Sequence, residues 1–151
     1  MLSIRYMRRL DQIPNGESGL MPGKQILAVD DESDVLLIIR TALESEGYEV
    51  LTAANGFDAL AIAQEKPVDL IVLDIMMPEM DGFEVMKRLK DKDKTRDIPI
   101  VMLTGLSERK LIKQALDLGV SHYIVKPFDF HDFLQVVKRA MDESAADVYT
   151  V

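Results

Sequence analysis

The sequence predicts an α/β fold, a doubly wound (βα)5 three-layer sandwich whose parallel sheet has the strand order 2-1-3-4-5. Three observations predict it. Five short apolar segments alternate with five segments of helical periodicity, which requires a parallel sheet covered on both faces. The apolar run that follows Pro67 and ends at Asp74, ahead of Pro78, reads as a strand buried on both sides. The unusual polar residues all fall at the carboxyl ends of strands, the edge where open α/β sheets bind ligands. Right-handed crossovers then favour the doubly wound order.

The elements follow in turn. Gln25 to Val29 is a short apolar strand closed by Asp30, Asp31 and Glu32. Ser33 or Asp34 can cap a helix that runs through Leu36, Ile39, Arg40 and Leu43 to Glu46, with Gly47 supplying the left-handed position beyond its end. Tyr48 to Thr52 is the second strand, and Asn55-Gly56 turns the chain into a helix over Phe57–Glu65. The Asp74 strand comes next. Asp81 caps a helix carrying Phe83, Val85, Met86 and Leu89, and the mixed charges from Lys87 to Asp97 read as a solvated helix end and turn. Ile98 to Thr104 is the fourth strand, with Pro99 near its start, where a missing donor is tolerated. Ser107 to Leu118 is helical and stops at Gly119. Ser121 to Val125 is the fifth strand, leading into Lys126-Pro127, a pair that restrains the backbone and admits a cis bond. Phe130, Phe133, Leu134, Val137 and Met141 then recur at helical spacing.

A length of 151 residues suits one domain with one sizeable core. Its span is expected over residues 24–142, with a flexible leader over 1–23 and a short tail over 143–151. The leader carries Arg5, Arg8 and Arg9 against Asp11 and Glu17, and contains the breakers Pro14-Asn15-Gly16 and Pro22-Gly23. It has no continuous apolar core of a secretory signal, and Met21 offers a second translation start. With no cysteine there is no disulfide, no thiol catalysis and no Cys-ligated zinc, which fits a reducing, cytoplasmic setting. Two isolated histidines, His122 and His131, do not make a His-rich metal site. The net charge of −8 argues against nucleic acid as a partner of this chain, and no apolar run is long enough to span a membrane.

What remains is the constellation at the strand ends: Asp30 and Asp31 after the first strand, Asp74 on the third, Thr104 on the fourth and Lys126 on the fifth. Carboxylates gathered there repel, since two unit charges about 4 Å apart cost roughly 4 kcal/mol at an effective dielectric of 20. A hard cation relieves this, and Mg²⁺ takes one or two carboxylates plus waters and phosphate oxygens. The bland reading of Asp30 and Asp31 is an acidic cluster at a helix start, favoured by the helix dipole, which is common for one Asp but less persuasive for an adjacent pair directly behind a buried strand. Asp74 is then available as a nucleophile, because carboxylates form covalent phosphoryl intermediates. Transfer of that kind rests on positioning and on neutralising the equatorial oxygens, tasks for Mg²⁺, the Lys126 ammonium and the Thr104 hydroxyl with the Gly105 amide.

In Leu27-Ala28-Val29-Asp30-Asp31-Glu32, Leu73-Asp74 through Asp81-Gly82, Leu103-Thr104-Gly105 and Tyr123 through Phe128, the chain resembles a response-regulator receiver domain of two-component signalling, with the flavodoxin-like fold. The likeness covers roughly Lys24 to Met141. It implies that Asp74 accepts a phosphoryl group from a sensor histidine kinase or histidine phosphotransfer protein. Asp31, Asp74 and the Met76 backbone carbonyl would bind Mg²⁺ directly and Asp30 through water. Lys126 would pair with the acceptor and Thr104 would sense the phosphate, with Tyr123 turning inward as Thr104 moves. The readout face would be the fourth helix, fifth strand and fifth helix, open to a downstream protein or to a phosphorylation-dependent homodimer. Such a protein turns over no external substrate. Met76 and Leu106, two residues past Asp74 and Thr104, replace the polar residues often seen there, so the aspartyl phosphate is expected to be long-lived.

Rival readings are a flavin-binding module, a metal-dependent phosphohydrolase with an aspartyl intermediate, and an inactive receiver used for docking. The first needs a phosphate loop where Asp30-Asp31-Glu32 would repel the phosphate. The second needs a general acid where Met76 stands, and the third conflicts with the complete set of site residues.

Overall fold

In the computed structural model, which describes residues 23–105, 109–120 and 122–149, the chain alternates strand and helix from end to end. The elements are β1 (Gln25–Val29), α1 (Ser33–Glu44), β2 (Glu49–Ala53), α2 (Gly56–Glu65), β3 (Leu70–Asp74), α3 (Gly82–Lys90), β4 (Ile100–Gly105), α4 (Arg109–Asp117), β5 (His122–Lys126) and α5 (Phe130–Tyr149). All strand pairs are parallel and the order is β2-β1-β3-β4-β5, as the alternation predicts. The expectations placed on residues 1–22, Leu106, Ser107 and Ser121 lie outside the described residues.

Strand alternation divides the core into two layers. Leu27, Val29, Ile71, Leu73, Ile100 and Met102 face α2, α3 and α4. Ile26, Ala28, Leu70, Val72, Val101, Leu103 and Ile124 face α1 and α5, where Ile39, Leu43, Phe133 and Val137 meet them. Every residue of β3 is buried, as expected of the central strand of a two-faced sheet.

Several boundaries differ from the sequence expectation, each for a local reason. Neither Ser33 nor Asp34 caps α1. Its N-cap is Glu32, whose side chain makes no capping bond, while Asp30 Oδ1 accepts from the Glu32 amide at 2.9 Å and so starts the helix one residue early. The same helix ends at Glu44; a turn through left-handed Gly47 (φ 89°) returns the Tyr48 amide to the Leu43 carbonyl at 3.2 Å. Asn55 is a cap rather than a turn residue, its side chain accepting from the Asp58 amide at 2.8 Å. Asp81 caps α3 as expected, accepting from the Glu84 amide at 2.9 Å. Pro99 precedes β4, and its carbonyl accepts from the Ile71 amide at 3.0 Å. Helix α5 continues past residue 143 to Tyr149, so the segment expected to be a tail carries helix.

Candidate functional site

Register and alternation bring three ionisable side chains to one point. Val29 pairs with Leu73, Asp74 with Leu103, and Leu103 with Ile124, so Asp30 and Asp74 stand level at the ends of adjacent strands. Leu103 and Ile124 face α1 and α5, and period-two alternation sends Asp30 and Asp74 to that same side. Lys126 lies two residues beyond Ile124, on the same side again, and its long chain reaches back across β4. Its Nζ lies 2.8 Å from Asp30 Oδ2 and 3.4 Å from Asp74 Oδ1. This is the switch point between β1 and β3, where the strand order reverses.

Burial makes these contacts consequential. Asp30 is wholly buried and Asp74 is 3 % exposed. Asp30 Oδ2 has no hydrogen bond of regular geometry, and its compensation is the ion pair with Lys126. Burial, and after it the charge of Asp30, pushes Asp74 up to about 7 against the opposing pull of Lys126, with Asp31 adding to the rise. Burial also raises Asp30, opposed by Lys126 and by the Glu32 amide. Burial disfavours the Lys126 ammonium, but bonding to Asp30 and the charge of Asp74 outweigh it and hold the group above the ordinary lysine value.

Asp31 and Asp30, adjacent in sequence, have opposite environments: one side chain is buried and the other exposed. Carboxylate oxygens of Asp30, Asp31 and Glu32 lie within 4.8 Å of one another. An all-oxygen, surplus-negative donor set of this kind fits a hard divalent cation such as Mg²⁺ and not a soft metal. Among the described residues it is these three carboxylates that are close enough together to hold such an ion. The Met76 side chain is 56 % exposed beside buried Met77.

Thr104 is buried one residue further along β4 than the partner of Asp74, and its hydroxyl donates to the Gly105 carbonyl at 3.4 Å. Alternation puts it on the α4 side of the sheet, level with Val125. Tyr123 is two residues back on β5 and is 41 % exposed, in a surface cleft with Ile112, Lys113, Leu116 and Val125. The ring therefore sits outside the core. The Lys126–Pro127 peptide bond is cis.

Two residues that the sequence reading named without giving either an individual role lie at the site. Glu32 places Oε1 3.4 Å from Lys126 Nζ across ninety-four residues of chain. Its position directly after the Asp30-Asp31 pair was the available signal. Gly82 donates its amide to the Ile75 carbonyl at 2.8 Å, and a Cβ on it would lie 2.4 Å from the Asp74 carbonyl oxygen. The signal there was a glycine directly after a cap.

A family model described as the response regulator receiver domain matches residues 26–138. The chain is 48% identical over 105 residues to the probable transcriptional regulator ycf27 of Cyanophora paradoxa, covering 70% of this chain and 43% of that protein. It is 42% identical over 121 residues to the phosphate regulon transcriptional regulatory protein PhoB of Pseudomonas aeruginosa, covering 80% and 53%. Among solved structures, the chemotaxis protein CheY4 of Vibrio cholerae superposes with a TM-score of 0.73 at 35% identity, covering 78% of this chain and 98% of that one. The chain belongs to the response regulator receiver domain family. It spans about half the length of the curated relatives it matches, and no helix among the described residues is long and apolar enough to cross a membrane.

Proposed function

We propose that this receiver takes a phosphoryl group onto Asp74 from the phosphohistidine of a sensor histidine kinase or a histidine phosphotransfer protein, and that the charge gained there switches the surface formed by α4, β5 and α5. One observation carries the reading. A buried carboxylate ends the central strand, 3.4 Å from a lysine ammonium and beside an oxygen-only acidic cluster.

An Asp74 Oδ attacks phosphorus as the P–N bond breaks, and the departing imidazole nitrogen keeps the bonding pair and takes a proton. Lys126, already paired with Asp74, would hold one phosphoryl oxygen, and the Thr104 hydroxyl with the Gly105 amide would hold another. Bound Mg²⁺ would supply the remaining positive charge, held by Asp31, Asp74 and the Met76 carbonyl, with Asp30 acting through water. The new group brings about −1.5 to −2 charges and strong acceptor oxygens. Thr104 shifting toward it opens room on the α4 side of β5, where Tyr123 moves from its exposed position inward. That biases an existing equilibrium between two surfaces. The partners read are a downstream protein or a second copy on that face, with no nucleic acid contacted by this chain and a cytoplasmic setting.

Intact mass after incubation with acetyl phosphate and Mg²⁺ tests the reading. Wild type should gain about 80 Da, the mass of one phosphoryl group, and Asp74→Asn should gain nothing. An adduct that survives in Asp74→Asn sinks the assignment.

The exposed thioether of Met76 cannot orient a water by hydrogen bonding, so the phosphoryl group should outlast that of a polar variant. Met76→Asn is expected to shorten its half-life by roughly threefold to tenfold, the rate equivalent of one hydrogen bond to the attacking water. Equal decay rates in purified protein with Mg²⁺ would remove Met76 from the explanation.

A further inference from the structure

Lys126 has three carboxylate neighbours, and they are not equivalent. Asp30 and Asp74 are buried, their side chains 0% and 4% exposed, whereas the Glu32 side chain is 63% exposed. Glu32 therefore approaches the ammonium from the solvent side. Its backbone is fixed: the amide donates to Asp30 Oδ1 at 2.9 Å and the carbonyl accepts the Leu36 amide at 3.1 Å, at the start of α1. Its side chain takes no part in capping that helix, although it is the N-cap residue. It lines a groove with Val35, Ile38, Lys126, Pro127 and Phe128, and a carboxylate oxygen of it lies within 4.8 Å of those of Asp30 and Asp31, at the exposed edge of the acidic cluster.

We propose that Glu32 is a positioning residue that guards Lys126, a carboxylate which an incoming phosphoryl anion must displace from the ammonium, so that the protein discriminates among donors by their charge. The inference rests on Asp74 and Lys126 acting as described above. Before transfer, Glu32 holds the ammonium and adds a negative charge at the entrance. On transfer a phosphoryl oxygen replaces it on Nζ, and the carboxylate is released to water at the first turn of α1. A dianionic donor therefore meets more opposition than a monoanionic one, and salt weakens that opposition because Glu32 is exposed.

The test compares wild type with Glu32→Gln, which keeps the side chain's shape and removes its charge at an exposed position. The second-order rate of Asp74 phosphorylation is read by intact mass with acetyl phosphate, a dianion at neutral pH, and with phosphoramidate, a monoanion. At low ionic strength Glu32→Gln should speed the acetyl phosphate reaction about tenfold, by lowering the half-saturating donor concentration, and the phosphoramidate reaction about threefold. Both gains should shrink toward unity in about 1 M salt. A merely structural role for Glu32 would not produce that dependence on donor charge and salt. In parallel, the Lys126 side-chain nitrogen resonance of the metal-free protein should shift in Glu32→Gln. Equal acceleration of both donors, or none, with the adduct still on Asp74, overturns the guard and leaves the acceptor in place. Absence of any adduct in wild type overturns the acceptor, and an unmoved Lys126 resonance then overturns the guard as well.

Discussion

Asp74→Asn should make the metal-free protein more stable than wild type at pH 8, by about 2–4 kcal/mol, and this advantage should disappear as the pH falls toward 4. The sign comes from where the proton sits. Asp74 is pushed up to about 7 in the folded chain, from 3.8 when unfolded, chiefly by burial and then by Asp30. Between those values the native state binds a proton that the unfolded state has released, so stability falls as pH rises through the window. Below it both states are protonated and nothing is lost. Above it the full cost of an ionised, buried carboxylate is present. Asparagine keeps the shape and can still accept from Lys126, but it carries no charge for Asp30 to oppose. Urea unfolding in EDTA at a series of pH values gives the answer, and parallel curves for the two proteins would refute it. Adding Mg²⁺ should raise the stability of wild type more than that of the variant, because ligand binding to the native state stabilises through its own affinity.

The same contest explains what the sequence could and could not reveal. Convergence of Asp30, Asp74 and Lys126 was legible because strand ends, alternation and the doubly wound order together determine an edge, and backbone register does the rest. The helix starts were legible only where one residue supplies the whole device: Asp81 is a lone acceptor placed one residue before its helix. At α1 two mechanisms competed, a Ser or Asp cap and an Asp30 turn, and residue type alone cannot rank them. Residue type alone does not tell Asp30 from Asp31, which only the family resemblance separated; the turn that leaves β1 buries one and exposes the other. The pairing of Glu32 with Lys126 was not legible because the two are ninety-four residues apart, and a long exposed side chain shows no periodicity. Helix α5 runs to Tyr149, past the point where the spacing of Phe130, Phe133, Leu134, Val137 and Met141 gives out, since a helix once nucleated propagates at little cost per residue.

Gly82→Ala should be the most damaging single-methyl change in the described chain, costing about 3 kcal/mol or more and slowing phosphorylation of Asp74 as well. A Cβ at 82 would meet the Asp74 carbonyl oxygen at 2.4 Å and the Ile75 Cα at 2.9 Å. Both are backbone atoms at the end of a fully buried strand, so neither can rotate aside. The start of α3 would have to move away, stretching the 2.8 Å bond from the Gly82 amide to the Ile75 carbonyl and shifting the carboxylate beside it. Two other glycines supply the scale. At Gly56 the new methyl meets Val85 Cγ2 at 2.7 Å and Met80 Sδ at 2.9 Å, side-chain atoms of which the methionine can repack, so the cost should be smaller. At Gly119 there is open space, and only its left-handed backbone (φ 104°) opposes a side chain, a penalty of about 1 kcal/mol. Urea midpoints should therefore fall in the order Gly119→Ala, Gly56→Ala, Gly82→Ala, with only the last also lowering the acetyl phosphate rate in the folded protein. If Gly82→Ala were no worse than Gly119→Ala, α3 would not approach the acceptor strand closely enough for its N-terminus to position Asp74.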